Sequence, residues 1–200
     1  MIKVSIDGSK LDTIRRIRKV AKVQEEMEII LNSDLFKMLV TNMKLLHGET
    51  SAWKDATGEE IYERIMSGAS DLSPEKDSVI NIFVDDYYSW KRVIGYTYPN
   101  TKTIYTNTKY FDSVNITQDN HHRKMTGSNF LHEYGHKIGF DHDFRATARR
   151  PYSICYQLND IYESCWDALM PSRMKRVERI YSYRRWFRRY TRTVVELHDI

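Results

Sequence analysis

Only two cysteines, Cys155 and Cys165, occur among the 200 residues, and both lie in the last quarter of the chain. A disulfide-stapled scaffold is thereby excluded, and the wide spacing of the pair does not match the close cysteine pairs of structural zinc sites. Two readings of the pair remain, a short disulfide loop or two buried thiols. Eight glycines and four prolines are too few for a glycine-rich phosphate loop or a low-complexity linker, and no internal repeat is visible. No run approaches the roughly twenty apolar residues of a membrane span. The first eight residues lack the apolar core and small-residue cleavage site of a signal peptide, so nothing visible directs secretion and the compartment stays open. Net charge is only +4, which argues against a dedicated nucleic-acid binder. A hydrophobic content of 41% with 29% charged residues is that of a water-soluble globular domain, and 200 residues suffice for one core.

Against these absences stands one dense motif. His132, Glu133, His136, Gly139 and His142 fall within His-Glu-Tyr-Gly-His-Lys-Ile-Gly-Phe-Asp-His. On a helix, residues four apart share a face, so His132 and His136 can direct their imidazoles at one metal ion. Glu133 then stands beside the open coordination position, where its carboxylate can take a proton from water. Gly139, free to adopt positive φ, can end the helix and return the chain so that His142 becomes the third ligand. Five specified residues at fixed spacing arise by chance in well under about one in a thousand chains of ordinary composition.

This pattern resembles the metzincin clan of zinc endopeptidases. The resemblance implies one catalytic Zn2+ held by His132, His136 and His142, with Glu133 activating the zinc-bound water and a protein or peptide as substrate. It also implies a methionine-containing turn beneath the metal. Met170, in Asp-Ala-Leu-Met-Pro, is similar to the matrixin form of that turn and is the preferred candidate, although it comes late in the chain. The other candidate, 151–156, resembles Tyr-Ser-Ile-Met-x-Tyr with Cys155 in the methionine position; there Tyr152 or Tyr156 would bring a phenol near the metal. Asp143 after His142 is an adamalysin-like feature, so the subfamily is open. A matrixin-type cysteine latency switch is excluded, since no cysteine precedes His132.

Along the chain, residues 2–6 alternate as a short strand, and Leu11, Ile14, Ile17, Val20, Val23 and Met27 recur at helical spacing. Their opposite face carries Arg15, Arg16, Arg18, Lys19 and Lys22 and reads as a solvated surface. A second helix is expected over 34–46, closed by His47 and Gly48. A third begins with Thr57-Gly58-Glu59-Glu60 and runs to about Met66, followed by turns through 68–74. Strands are expected at 79–84, 93–98 and 103–106, the last two joined through Pro99 and Asn100. In the resemblance, an edge strand borders the cleft at this distance before the zinc helix, which makes Thr103, Ile104 and Tyr105 the expected substrate-binding edge. His121 and His122 read as loop histidines, and His47 and His198 have no partners at ligand spacing.

After Pro171, nine basic residues from Arg173 to Arg192 interleave with Met174, Val177, Ile180, Trp186, Phe187 and Tyr190, which reads as a basic amphipathic helix. The expectation is thus one α+β domain, 1–200, with a metzincin-like fold: an N-terminal lobe (1–139) of helices, mixed sheet and zinc helix, and a smaller C-terminal lobe (140–200) with the terminal helix. The molecule is expected to act as a monomer, without nucleic acid as its partner. The competing function is a protein that binds nucleic acid or an acidic partner through the basic C-terminal helix and uses the histidines as a structural metal site.

Overall fold

The computed structural model describes residues 1–43, 48–69, 76–98, 101–113, 116–171, 174–185 and 188–199; side chains at 116–117 and 174–199 are outside the description. His47, the turn from 70 to 74 and the Pro99-Asn100 connection, as expected from sequence, lie outside the described residues. The order of elements is β1 (Lys3–Asp7), α1 (Ile14–Leu31), α2 (Asp34–Thr41), α3 (Gly58–Met66), β2 (Val79–Tyr87), β3 (Gly95–Thr97), β4 (Thr103–Asn107), α4 (Thr108–Phe111), α5 (Ile116–Lys137), α6 (Ile154–Leu169), β5 (Met174–Arg185) and β6 (Arg188–Asp199). The class is α+β, with a mixed four-stranded sheet packed against helices.

Local chemistry accounts for the first helices. Thr13 and Ser33 cap α1 and α2 by accepting backbone N–H bonds three residues on. In α3, Thr57 and Glu60 satisfy one another's backbone N–H groups in a full capping box. The apolar stripe of α1 (Val20, Val23, Met27, Ile30) is buried against β1, α5 and α6, in one core with Ile80, Ile82 and Val84 of β2.

Strand order is β1-β2-β4-β3, with β1, β2 and β4 parallel and β3 antiparallel to β4. Thr103, Ile104 and Tyr105 therefore do not form an edge: they pair with Phe83, Val84 and Asp85 on one side, and Tyr105 and Ile104 pair with Tyr96 and Thr97 on the other. Among the described residues the two edges of the sheet are β1 and β3. With both flanks engaged, β4 has no backbone groups left to pair with a peptide.

A charged cluster is buried where α1, α5 and α6 meet. The Arg123 guanidinium, 2% exposed, pairs with Glu26 at 2.6 Å and donates to the Asn120 side-chain oxygen at 2.7 Å. Glu26 also accepts from the Trp166 indole at 3.2 Å. Lys19, expected on a solvated face, is buried: its ammonium pairs with Asp119 at 2.8 Å and donates to Ser113 and the Phe111 carbonyl. These bonds fix the N-terminal half of α5 against the helix layer.

One further expectation is corrected, and the open alternative for the cysteines is decided in favour of buried thiols. Met174–Arg185 and Arg188–Asp199 pair as the antiparallel strands β5 and β6, a separate two-stranded sheet, in place of a terminal helix. The segment is rich in Val, Ile, Thr and Tyr, whose branched or aromatic side chains favour strands, while Met174, Val177 and Ile180 happened to match helical spacing. Ile154–Leu169 is a helix, and Cys155 and Cys165 are free, buried thiols on it. Ten residues of helix separate them by roughly 15 Å, far beyond disulfide reach.

Candidate metal centre

The last turns of α5 present His132, Glu133 and His136, and the helix ends at Lys137. Gly139 has φ +98°, which an L side chain would adopt only with strain, and the Phe140 N–H returns to the Gly135 carbonyl at 3.0 Å. This reversal brings His142 back over the helix end. Its imidazole lies 5.3 Å from that of His132 and 4.8 Å from that of His136, centroid to centroid, and His132 and His136 are 5.2 Å apart.

The three histidines offer ligand atoms all within 4.8 Å of one another and could hold a metal ion. Nε2 of His132 and Nε2 of His142 are 3.3 Å apart. Two nitrogens held at about 2.0–2.1 Å from one tetrahedral ion would be separated by roughly 3.3–3.4 Å, so the spacing fits. The other ring nitrogens are committed. His136 Nδ1 lies 3.0 Å from the Phe140 carbonyl, His142 Nδ1 lies 3.1 Å from the Asp143 carbonyl, and His132 is hydrogen-bonded to the Cys155 backbone. Carbonyls accept, so these nitrogens carry the protons and the Nε2 lone pairs are left for a cation. Burial, then the neighbouring imidazoles, lowers His132 to about 3, and burial likewise lowers His136. Both are neutral at physiological pH, as ligation requires.

Glu133 is 6% exposed and is pushed up to about 7 by burial, opposed by the Asn129 amide, Lys137 and the Thr97 backbone. Asn129, one helical turn earlier, donates to its Oε1 at 3.3 Å. A cation at the triad would favour the carboxylate form. Lys137 donates to the carbonyls of Tyr98 and Thr101 and to the Thr101 hydroxyl, tying the end of α5 to residues between β3 and β4.

Glu49 braces the centre from a distant part of the chain. Its buried carboxylate accepts from the backbone N–H groups of Ser51 at 3.1 Å, Asp141 at 2.7 Å and Ile154 at 3.2 Å. It thereby clamps the His142 turn to the start of α6. A backbone bridge between Glu49 and His142 runs alongside. Gly48 permits this approach, since a Cβ there would lie 2.3 Å from the Arg149 carbonyl oxygen.

Position beneath the histidines falls to Cys155. Its thiol lies 3.8 Å from His136 Nδ1 and is fully buried. Met170 is buried too, but it caps the opposite end of α6, about 22 Å of helical rise from Cys155. The expected methionine floor is therefore corrected: Met170 packs in the helical core. Tyr156, the next residue after Cys155, sets its ring 4.7 Å from His132 and 5.0 Å from His142, whereas Tyr152 is half exposed on the preceding 3-10 turn. His121 is exposed, and His122 is buried with Ser113 3.2 Å from its Nδ1; neither reaches the centre.

A cleft of about 760 Å³ opens over the triad. One wall is an edge strand, with Gly95, Tyr96 and Thr97 of β3; the other is formed by the segment from Gly139 through Arg150 to Tyr156. Of the residues missed from sequence, Asn129 stands four before Glu133 and was recoverable from helical spacing. Glu49 and Arg150 carry no local signal. No described protein family, curated protein or solved structure matches this chain.

Proposed function

We propose that the chain is a zinc-dependent endopeptidase with a metzincin-like fold. The observation that carries the reading is the conjunction of three converging imidazoles with a buried carboxylate, Glu133, at the floor of a cleft bordered by an edge strand. A purely structural metal site has no use for that carboxylate. Zinc held by His132, His136 and His142 would supply Lewis acidity and open coordination space.

The protein's own groups do the rest. An extended peptide adds alongside Gly95–Thr97 and places its scissile carbonyl over the triad. Glu133 accepts a proton from water as the water oxygen bonds to the carbonyl carbon. It then delivers that proton to the amine nitrogen as the C–N bond breaks. Asn129 holds the Glu133 carboxylate in place, and Tyr156, packed on His132 and His142, is the side chain positioned to meet the developing negative charge. Purified protein is expected to bind about one zinc per chain and to cleave peptides internally, with activity lost to chelator and restored by zinc. Metal content unchanged in a His136→Ala, His142→Ala double variant would refute the ligand set.

A second reading rests on the β5–β6 ribbon. Its register sets Arg184 opposite Arg189 and Arg185 opposite Arg188. Basic residues gathered at one end of a ribbon would suit an anionic partner. Mobility-shift titration with oligonucleotides, with and without chelator, tests it independently of peptide cleavage.

A further inference from the structure

We infer that Arg150 forms a carboxylate-binding subsite of the cleft, so that the substrate is an acidic peptide anchored beside the metal centre. The inference rests on the peptidase reading and names its substrate class. Arg150 lines the cleft, with its guanidinium 5.2 Å from the centre of the Tyr156 ring, the same ring that packs on His132 and His142. The guanidinium stands one aromatic ring away from the ligand set.

It is also underused. One nitrogen donates to the Phe144 carbonyl at a long 3.3 Å, and Nε is buried without any partner. No carboxylate pairs with Arg150 among the described residues. Arg16 and Arg123, by contrast, each hold carboxylates within 2.6 Å. Leaving a half-buried guanidinium N–H unsatisfied is costly, and placing it near a divalent cation adds repulsion. An incoming carboxylate at the terminal nitrogens offsets that repulsion, and the planar fork of arginine matches its two oxygens.

The remaining charge in the cleft favours the same ligand. Its lining carries Arg92, Lys102, Lys137 and Arg150 against only Glu133 and Asp141. Asp141 accepts from the His142 backbone N–H, and Glu133 accepts from Asn129, and neither pairs with Arg150. A basic cleft of this kind concentrates anionic peptides and repels cationic ones.

The carboxylate can come from an aspartate or glutamate side chain or from the peptide's own C-terminus. Peptides of one length carrying Glu, Gln or Lys in turn at each position around the cleaved bond, with free or amidated C-termini, separate these sources. Zinc-loaded wild-type protein should prefer Glu to Gln at one position, or the free to the amidated terminus, by roughly ten- to a hundredfold in kcat/KM. Arg150→Gln should bring that ratio to about one, and Arg150→Glu should invert it in favour of Lys, which mere misfolding would not do. Zinc content and circular dichroism of both variants accompany the assay. Equal rates for charged and neutral peptides in the wild type, or a preference that survives Arg150→Gln, would overturn the subsite. Binding of the same peptides to zinc-loaded Glu133→Gln, with and without Arg150→Gln, reads the subsite without hydrolysis. Should wild-type protein cleave nothing while this Arg150-dependent binding preference persists, the peptidase reading fails and the carboxylate site stands.

Discussion

Glu49 sits 92 residues from Asp141 and 105 from Ile154, yet its carboxylate satisfies backbone N–H groups at both. Replacing it with alanine would leave three donors without their acceptor in a buried position, each worth about 1–3 kcal/mol when unsatisfied. Because those donors fix the His142 turn and the start of α6, Glu49→Ala is expected to weaken zinc binding about 10- to 100-fold, the usual scale for removing a support of metal ligands. Competition against a chromophoric chelator measures this, and an unchanged affinity would contradict the bracing role. Cys155 and Met170 separate in the same assay. Cys155→Ala opens a void beside His136 and should lower zinc affinity, whereas Met170→Ala should cost about 2–5 kcal/mol of stability with zinc affinity unaltered. The ligand histidines and Glu133 were legible in the sequence because one helix and one turn set their spacing. Glu49 was not, because a pairing between segments so far apart leaves no periodicity to read. The methionine floor was misplaced because Ala-Leu-Met-Pro resembles the matrixin turn while saying nothing of the helix that carries it away from the metal.

At the scale of elements, the α1–α5–α6 junction depends on Arg123 and Glu26 satisfying each other. Glu26→Ala would leave the buried guanidinium without its main counter-charge and should destabilise the fold by about 3–5 kcal/mol. Adding Arg123→Met should recover part of that loss, since the charge then goes with its partner. Urea unfolding of the single and double variants checks the pair, and strictly additive losses would show that the two residues act separately. Elements whose determinants are local were readable: the Thr57–Glu60 capping box marked the start of α3 within a residue, and the β-branched, apolar run 79–84 marked the first part of β2. Strand order was not readable. That β4 lies inside the sheet and β3 at its edge follows from how the parallel strands dock on the helices, and neither strand's own residues encode it. The C-terminal strand pair was misread for another reason: three apolar residues at intervals of three satisfy a helical stripe, while the β-branched and aromatic content around them favoured strands.

For the whole molecule, burying neutral histidines makes the metal-free fold sensitive to acid. His132 and His136 both have lowered folded pKa values, so below about pH 6.5 the unfolded chain binds protons that the native state refuses. That stability is present above about 6.5 and is lost as pH falls. Glu133 acts oppositely: raised to about 7, it lets the native state hold a proton that the unfolded chain releases down to roughly 4.3. Between roughly pH 6 and 4.5 the His132 and Glu133 contributions oppose one another, so the net loss of stability with falling pH comes from His136 and is at most about 1.4 kcal/mol per pH unit. Thermal unfolding of the metal-free protein across that range should show the decline. Zinc should raise the melting temperature at neutral pH and lose this effect in acid, as protons compete for the ligands. No helix among the described residues is long and apolar enough to cross a membrane.

The account stands most directly on Glu133 acting as a proton acceptor and not as a ligand or a packing group. Zinc-loaded Glu133→Gln should retain one ion per chain and the native circular dichroism spectrum while peptide turnover falls by about 10²–10⁴-fold. Turnover near the wild-type rate in a fully zinc-loaded sample of that variant would contradict the proposed chemistry.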